Sequence, residues 1–135
     1  MSSITLKADP EAIDKVTAFV EGECLSHRAG PDDTYAILLM VDELVANVCH
    51  YAYPDGEGEF EVEVTFDSGL CSLKFTDSGV PFDPTQLEDP DTTGSVEERK
   101  VGGFGIYFIR KKSERFEYRR DESRNVVTVV KRLGR

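Results

Sequence analysis

The chain is short of positive charge. Its 16 lysines and arginines stand against 26 aspartates and glutamates, a formal net charge of -10, and a nucleic-acid partner is not expected because phosphate binding needs a basic patch. No run of apolar residues comes near the roughly 20 that a membrane span takes, so no membrane partner is expected. The opening M-S-S-I-T-L-K has no basic region leading into an apolar stretch, and secretion is not expected either. Cysteine is scarce: Cys24, Cys49 and Cys71 are odd in number, widely spaced and set among apolar neighbours. That argues against a disulfide framework or a metal cluster and for reduced, buried small hydrophobes in a cytoplasmic protein. Repeats and low-complexity tracts are missing, and 135 residues suit one domain over 1–135 with a single core.

What charge there is lies unevenly. Residues 54–98 are strongly acidic, while residues 99–135 are rich in Arg and Lys. A basic part beside an acidic body can attract a small anionic ligand, and plain solvated surface gives the same pattern.

Periodicity supplies the elements. Residues 4–7 alternate as a short strand, and Asp9-Pro10 reads as an N-cap with proline at the first helical position of a helix running to Ser26. Ala29-Gly30-Pro31 breaks that helix, and a second begins near Asp32 or Asp33 and ends by Pro54-Asp55-Gly56. Residues 60–66 and 70–75 form a hairpin turned at Asp67-Ser68-Gly69. Residues 77–103 lose all period and read as a long loop, with a lid at about 80–101. A third helix follows from Gly103 to about Lys112, then strands at 115–119 and 125–133. The order β-α-α-β-β-(lid)-α-β-β predicts an α+β two-layer α/β sandwich, helices on one face of a largely antiparallel, mixed sheet.

Within the second helix, Glu43, Asn47 and His50 fall on one stripe of the helical wheel, opposite Ile37, Leu38, Val41, Leu44, Val45, Val48 and Ala52. Leu39 and Met40 flank the stripe, so it reads as the half-buried lining of a cleft. Glu43 and Asn47, one turn apart, can offer oxygen ligands to one hard cation, and a solvated face is the other reading. Gly102-Gly103-Phe104-Gly105, between the loop and a helix, either admits phosphate to free backbone N–H groups or serves as a hinge. Asp77-Ser78-Gly79 follows the second strand of the hairpin. Its carboxylate can accept a purine amino group or simply form a turn.

In their order along the chain, E-x-x-x-N on a helix, D-x-G after a strand, a variable lid and G-x-G opening a helix resemble the nucleotide-binding (Bergerat) fold. That domain is shared by gyrase, a heat-shock chaperone, histidine kinases and mismatch-repair proteins. The runs E-L-V-A-N-V-C-H-Y-A-Y, D-S-G-V-P-F-D-P and G-G-F-G-I-Y-F-I-R-K are most similar to the anti-sigma factor serine-protein kinases, over nearly the whole length. The resemblance implies ATP and Mg2+ as cofactors. It implies Glu43 as general base, Asn47 as the magnesium ligand, Asp77 with Gly79 at the adenine, and Gly103, Phe104 and Gly105 near the phosphates. Arg99 and Lys100 would reach the γ-phosphate from the lid, and Thr128 would help hold adenine through a water.

Pro81 replaces the second glycine of the usual D-x-G-x-G, and no phosphoacceptor helix pair precedes the domain, so a two-component histidine kinase is not expected. The function implied is phosphorylation of a small STAS-domain anti-sigma factor antagonist on serine or threonine, with a sigma factor as a second partner and a homodimer through the N-terminal strand and helix. A nucleotide-binding module that acts by sequestering a regulatory protein is the alternative, and a regulatory domain serving a phosphatase or another signalling system is a third.

Overall fold

A computed structural model describes residues 1–87 and 103–134. The chain runs β1 (Ser2–Lys7), α1 (Ala12–Ser26), α2 (Pro31–Asn47), a π-helical turn (Val48–Ala52), β2 (Glu59–Asp67) and β3 (Leu70–Asp77). A short 3₁₀ turn (Pro84–Gln86) precedes α3 (Gly103–Lys112), β4 (Arg115–Asp121) and β5 (Arg124–Arg132). The five strands form one sheet in the order β1-β2-β3-β5-β4. Every described pairing is antiparallel, so the mixed sheet allowed for by the sequence is not seen among the described residues. The two-layer α+β arrangement is as expected.

Period-two burial builds one layer of the core. Phe60, Val62 and Val64 of β2, Cys71, Leu73 and Phe75 of β3, and Val127 and Val129 of β5 turn the same way. Against them pack Val16, Val20 and Cys24 of α1, Ile37, Val41 and Leu44 of α2, and Ile106 and Ile109 of α3. The β2–β3 turn places Ser68 (φ 53°) and Gly69 (φ 78°) in the left-handed region between the paired Asp67 and Leu70, the backbone that a two-residue hairpin requires.

Pro31–Ala52 makes 22 helical residues, within which an 18-residue window has a mean hydropathy of 1.2, long and apolar enough by length and composition to cross a membrane. Reading only uninterrupted apolar runs misses this, because Asp42 and Glu43 divide the stretch. Its buried Ile37, Met40, Val41, Leu44 and Val45 belong to the core, as the central helix of a two-layer domain requires.

Strand ends shift by one or two residues from the sequence reading, and three boundaries bear on the site. Helix α1 starts at Ala12 with Glu11 as N-cap, not at Asp9-Pro10. Asp9 Oδ1 accepts from the Glu11 N–H at 3.0 Å, so its side chain closes a local turn before the helix. Helix α2 starts at Pro31, leaving Asp32 and Asp33 in the first turn, where negative charge is favoured. Strand β3 continues to Asp77, which places that carboxylate inside the sheet instead of beyond its end.

Candidate functional site

The π-helical turn fixes what α2 presents. The Tyr53 N–H donates to the Val48 carbonyl at 3.1 Å, an i to i+5 bond that widens the turn and breaks the helical phase after Asn47. Glu43 and Asn47 therefore stay on one stripe, while His50 is exposed and leaves it. The turn also directs the Ala52 carbonyl to the Val80 N–H, 2.9 Å away. Gly79 passes so close that a Cβ there would lie 2.2 Å from the Ala52 oxygen.

Glu43 is half-buried. Burial pushes its carboxyl from an ordinary 4.5 up to about 7, with the neighbouring Asn47 side chain pulling the other way. The first turn of α3 abuts it: a Cβ on Gly105 would lie 2.0 Å from Glu43 Oε1. The glycine is what lets the start of that helix reach the carboxylate. Asn47, 6% exposed, carries a buried Nδ2 that acts on the Glu43 carboxylate but makes no close hydrogen bond among the described residues. A buried donor held so loosely leaves room for a closer partner, a ligand or a water.

Asp77 ends β3 opposite Asn125 of β5. It is 6% exposed, and its Oδ1 accepts from the Gly79 N–H at 2.9 Å and from Asn125 Nδ2 at 2.8 Å. Burial raises its pKa, opposed by those two hydrogen bonds and by the charge of Arg120.

Asn47, Asp77 and Asn125 face one cavity of about 20 Å³. Leu44, Val48 and Ala52 form one side of it and Phe75 and Val127 the floor, and Phe82 and Pro84 close it. The space holds a water and not a purine, so a ligand of that size could enter only if the lining moved apart.

That wall begins the segment expected to be a lid, yet its described part is fastened. The Phe82 N–H donates to Asn125 Oδ1 at 3.3 Å and Asn125 Nδ2 to the Val80 carbonyl at 2.8 Å. Arg110 donates to the Thr85 carbonyl at 3.0 Å and also to that of Leu87. The Phe82 ring stacks on Tyr51 at 4.4 Å. The rest of the expected lid, with Arg99 and Lys100, lies outside the described residues, as does the Phe104 side chain. Gly103 opens α3.

Thr128 is not brought to the cavity. It pairs with Lys74 and Glu117, and alternation along β5 turns it with Val126 to the face away from the helices. Asn125 and Val127 occupy the inward positions instead. Asn125 is the site residue that the sequence reading passed over. A lone carboxamide leading a run of valines into a buried strand was the available signal.

Among the described residues no group of three or more His, Cys, Asp or Glu could hold a metal by itself. A cation here would rest on the oxygen of Asn47 together with those of a bound phosphate. The loosely satisfied Asn47 Nδ2 is a donor and would suit a phosphate oxygen, with the Asn47 Oδ1 left for the cation.

Known proteins are similar to this chain in sequence or in fold. A protein of Bordetella bronchiseptica named serine/threonine-protein kinase BtrW is 25% identical over 97 residues, covering 71% of this chain and 68% of that protein. The RsbU and RsbW domains of Rv1364c from Mycobacterium tuberculosis superpose with a TM-score of 0.65 at 15% identity. All of this chain is covered but only 33% of that one. SiaB–SiaC from Pseudomonas aeruginosa gives a TM-score of 0.62 at 13% identity, over 97% of this chain and 89% of the other. Both superpositions speak for the fold alone. The signature of the histidine kinase-like ATPase domain (HATPase_c_2) matches residues 6–131, so the chain belongs to the histidine kinase-like ATPase domain family.

Proposed function

We propose that this chain binds ATP with magnesium in the cavity between α2 and β3, and passes the γ-phosphoryl group to a serine or threonine of a small STAS-domain antagonist in the cytoplasm. The observation that carries the reading is the convergence of Asn47 and Asp77, thirty residues apart in sequence, on one cavity beside Glu43. The kinase named among the relatives supports the activity, and the antagonist comes from the resemblance of the motifs.

Bound ATP and magnesium would supply the phosphoryl group and the neutralising charge. The chain's own groups position and polarise. Asp77 has an Oδ2 free of donors among the described residues and accepts the amino group of adenine. Asn47 offers its oxygen to the cation. The first N–H groups of α3, from Gly103 on, face the phosphates where negative charge grows. Glu43, whose carboxyl burial raises to about 7 in the ligand-free protein, takes the proton of the attacking hydroxyl as general base. Arg99 and Lys100 are assigned to the γ-phosphate by resemblance alone.

The test is transfer from γ-labelled ATP to STAS-domain proteins of the same genome. Label on one of them, lost in Glu43→Gln with a drop of about 10² to 10⁴ in rate, is expected. Binding of ATP without transfer to any would leave the alternative, a module that acts by sequestering its partner, a sigma factor among the candidates.

A further inference from the structure

Asn125 is 2% exposed and makes five hydrogen bonds, more than any other side chain at the site. Its Nδ2 donates to Asp77 Oδ1 and to the Val80 carbonyl, each at 2.8 Å. Its Oδ1 accepts from the Tyr118 hydroxyl at 2.6 Å, Arg120 Nη1 at 3.1 Å and the Phe82 N–H at 3.3 Å. These partners admit one orientation only. Turned over, the amide would set its N–H groups against the Arg120 and Phe82 donors, and its oxygen against a carboxylate and a carbonyl.

We propose that Asn125 is a positioning residue that selects the purine: its amide, locked by Tyr118, Arg120 and the Phe82 backbone, holds Asp77 as a pure acceptor. This rests on the reading of Asp77 as the partner of the nucleobase. Gly79 and Asn125 both donate to Oδ1, which works against the rise that burial gives this carboxyl, and Oδ2 is left as a lone acceptor. Such an oxygen takes an exocyclic amino group at purine C6. A C6 carbonyl in the same place would oppose acceptor to acceptor, and a site built to bond a polar group rejects an analogue that cannot pair with it. Arg120 spans the arrangement, donating also to the Gly79 carbonyl at 3.0 Å, so β4 reaches across β5 to tie the loop after Asp77 to the Asn125 amide.

Displacement of a fluorescent ATP analogue from the full chain, by ATP and by ITP with magnesium, tests this. ITP carries a carbonyl where ATP carries the amino group. Wild type is expected to prefer ATP by about tenfold or more, the worth of one charge-assisted hydrogen bond. Asn125→Ala should erase most of that preference, losing about tenfold for ATP and little for ITP. Tyr118→Phe, which removes one hydroxyl from the brace, should lower the preference about threefold. A merely structural Asn125 would weaken both nucleotides together. If the ATP-to-ITP ratio is unchanged in both variants while wild type binds ATP selectively, the inference fails and the nucleotide reading stands. If wild type binds neither nucleotide, both fail. Should Asn125→Ala not fold by circular dichroism, the ratio in Tyr118→Phe decides.

Discussion

Glu43 ties the proton balance of the fold to the chemistry proposed for it. Its carboxyl ionises near 4.5 when exposed in the unfolded chain and near 7 in the folded one, so the native state holds the proton more tightly between those values. Stability of the nucleotide-free, metal-free protein should therefore fall as pH rises from about 4.5 to about 7. Asp77, also raised by burial, adds to the fall with the same sign. Glu43→Gln should flatten this profile without abolishing it, and urea denaturation across that range shows whether it does. An equal slope in mutant and wild type would place the Glu43 proton in a solvent-like setting. Glu43, Asn47 and Asp77 were legible because a carboxylate or carboxamide in an apolar helix or at a strand end breaks a pattern. Thr128 misled because V-V-T-V-V gives no sign of which face each residue takes, and only pairing with Lys74 and Glu117 settles it.

Between elements, two glycines set how closely the backbone approaches, and they should respond to the same substitution in opposite ways. A methyl on Gly79 would meet the Ala52 backbone oxygen, which cannot move away, so Gly79→Ala should destabilise by about 1–3 kcal/mol. A methyl on Gly105 would meet Glu43 from Oε1 back to Cγ, a side chain that can clear it by changing rotamer. Gly105→Ala should keep or slightly raise the thermal midpoint, since alanine favours a helix by up to about 1 kcal/mol. It should nonetheless cost about 10² in phosphoryl transfer through misplacement of Glu43. Thermal melts beside the transfer assay separate the two, and a stable Gly79→Ala would show that the π-helical turn yields. The Tyr53 hydroxyl anchors the end of that turn, donating to the Glu59 carbonyl and accepting from the Ser78 N–H, each at 2.7 Å. Glu59 and Ser78 are exposed residues although Tyr53 itself is buried, so Tyr53→Phe should cost only about 1 kcal/mol in urea denaturation. Elements with strong periods were readable from sequence; the π-helical turn was not, because V-C-H-Y-A continues the helical pattern and the wider turn shows only in the bond from Tyr53 to Val48.

For the whole molecule, alternation in β2, β3 and β5 and the helical stripe of Val16, Val20, Ile37 and Val41 were enough to give the two layers, since each pattern admits one buried face. Strand order was beyond reach: β5 inserts between β3 and β4, and that crossover is what sets Asn125 beside Asp77. The fastened wall at 80–87 was hidden likewise, because its ties run to Asn125 and Arg110 from distant parts of the chain. The central claim is that this cavity receives adenine through Asp77. Titration calorimetry of ATP with magnesium into wild type and Asp77→Asn, side by side, tests it most directly. The account predicts saturable binding by wild type and a loss of about 1.5–3 kcal/mol in the variant, roughly ten- to a hundredfold in affinity. Absence of heat with wild type, or equal affinity in the two proteins, would contradict it.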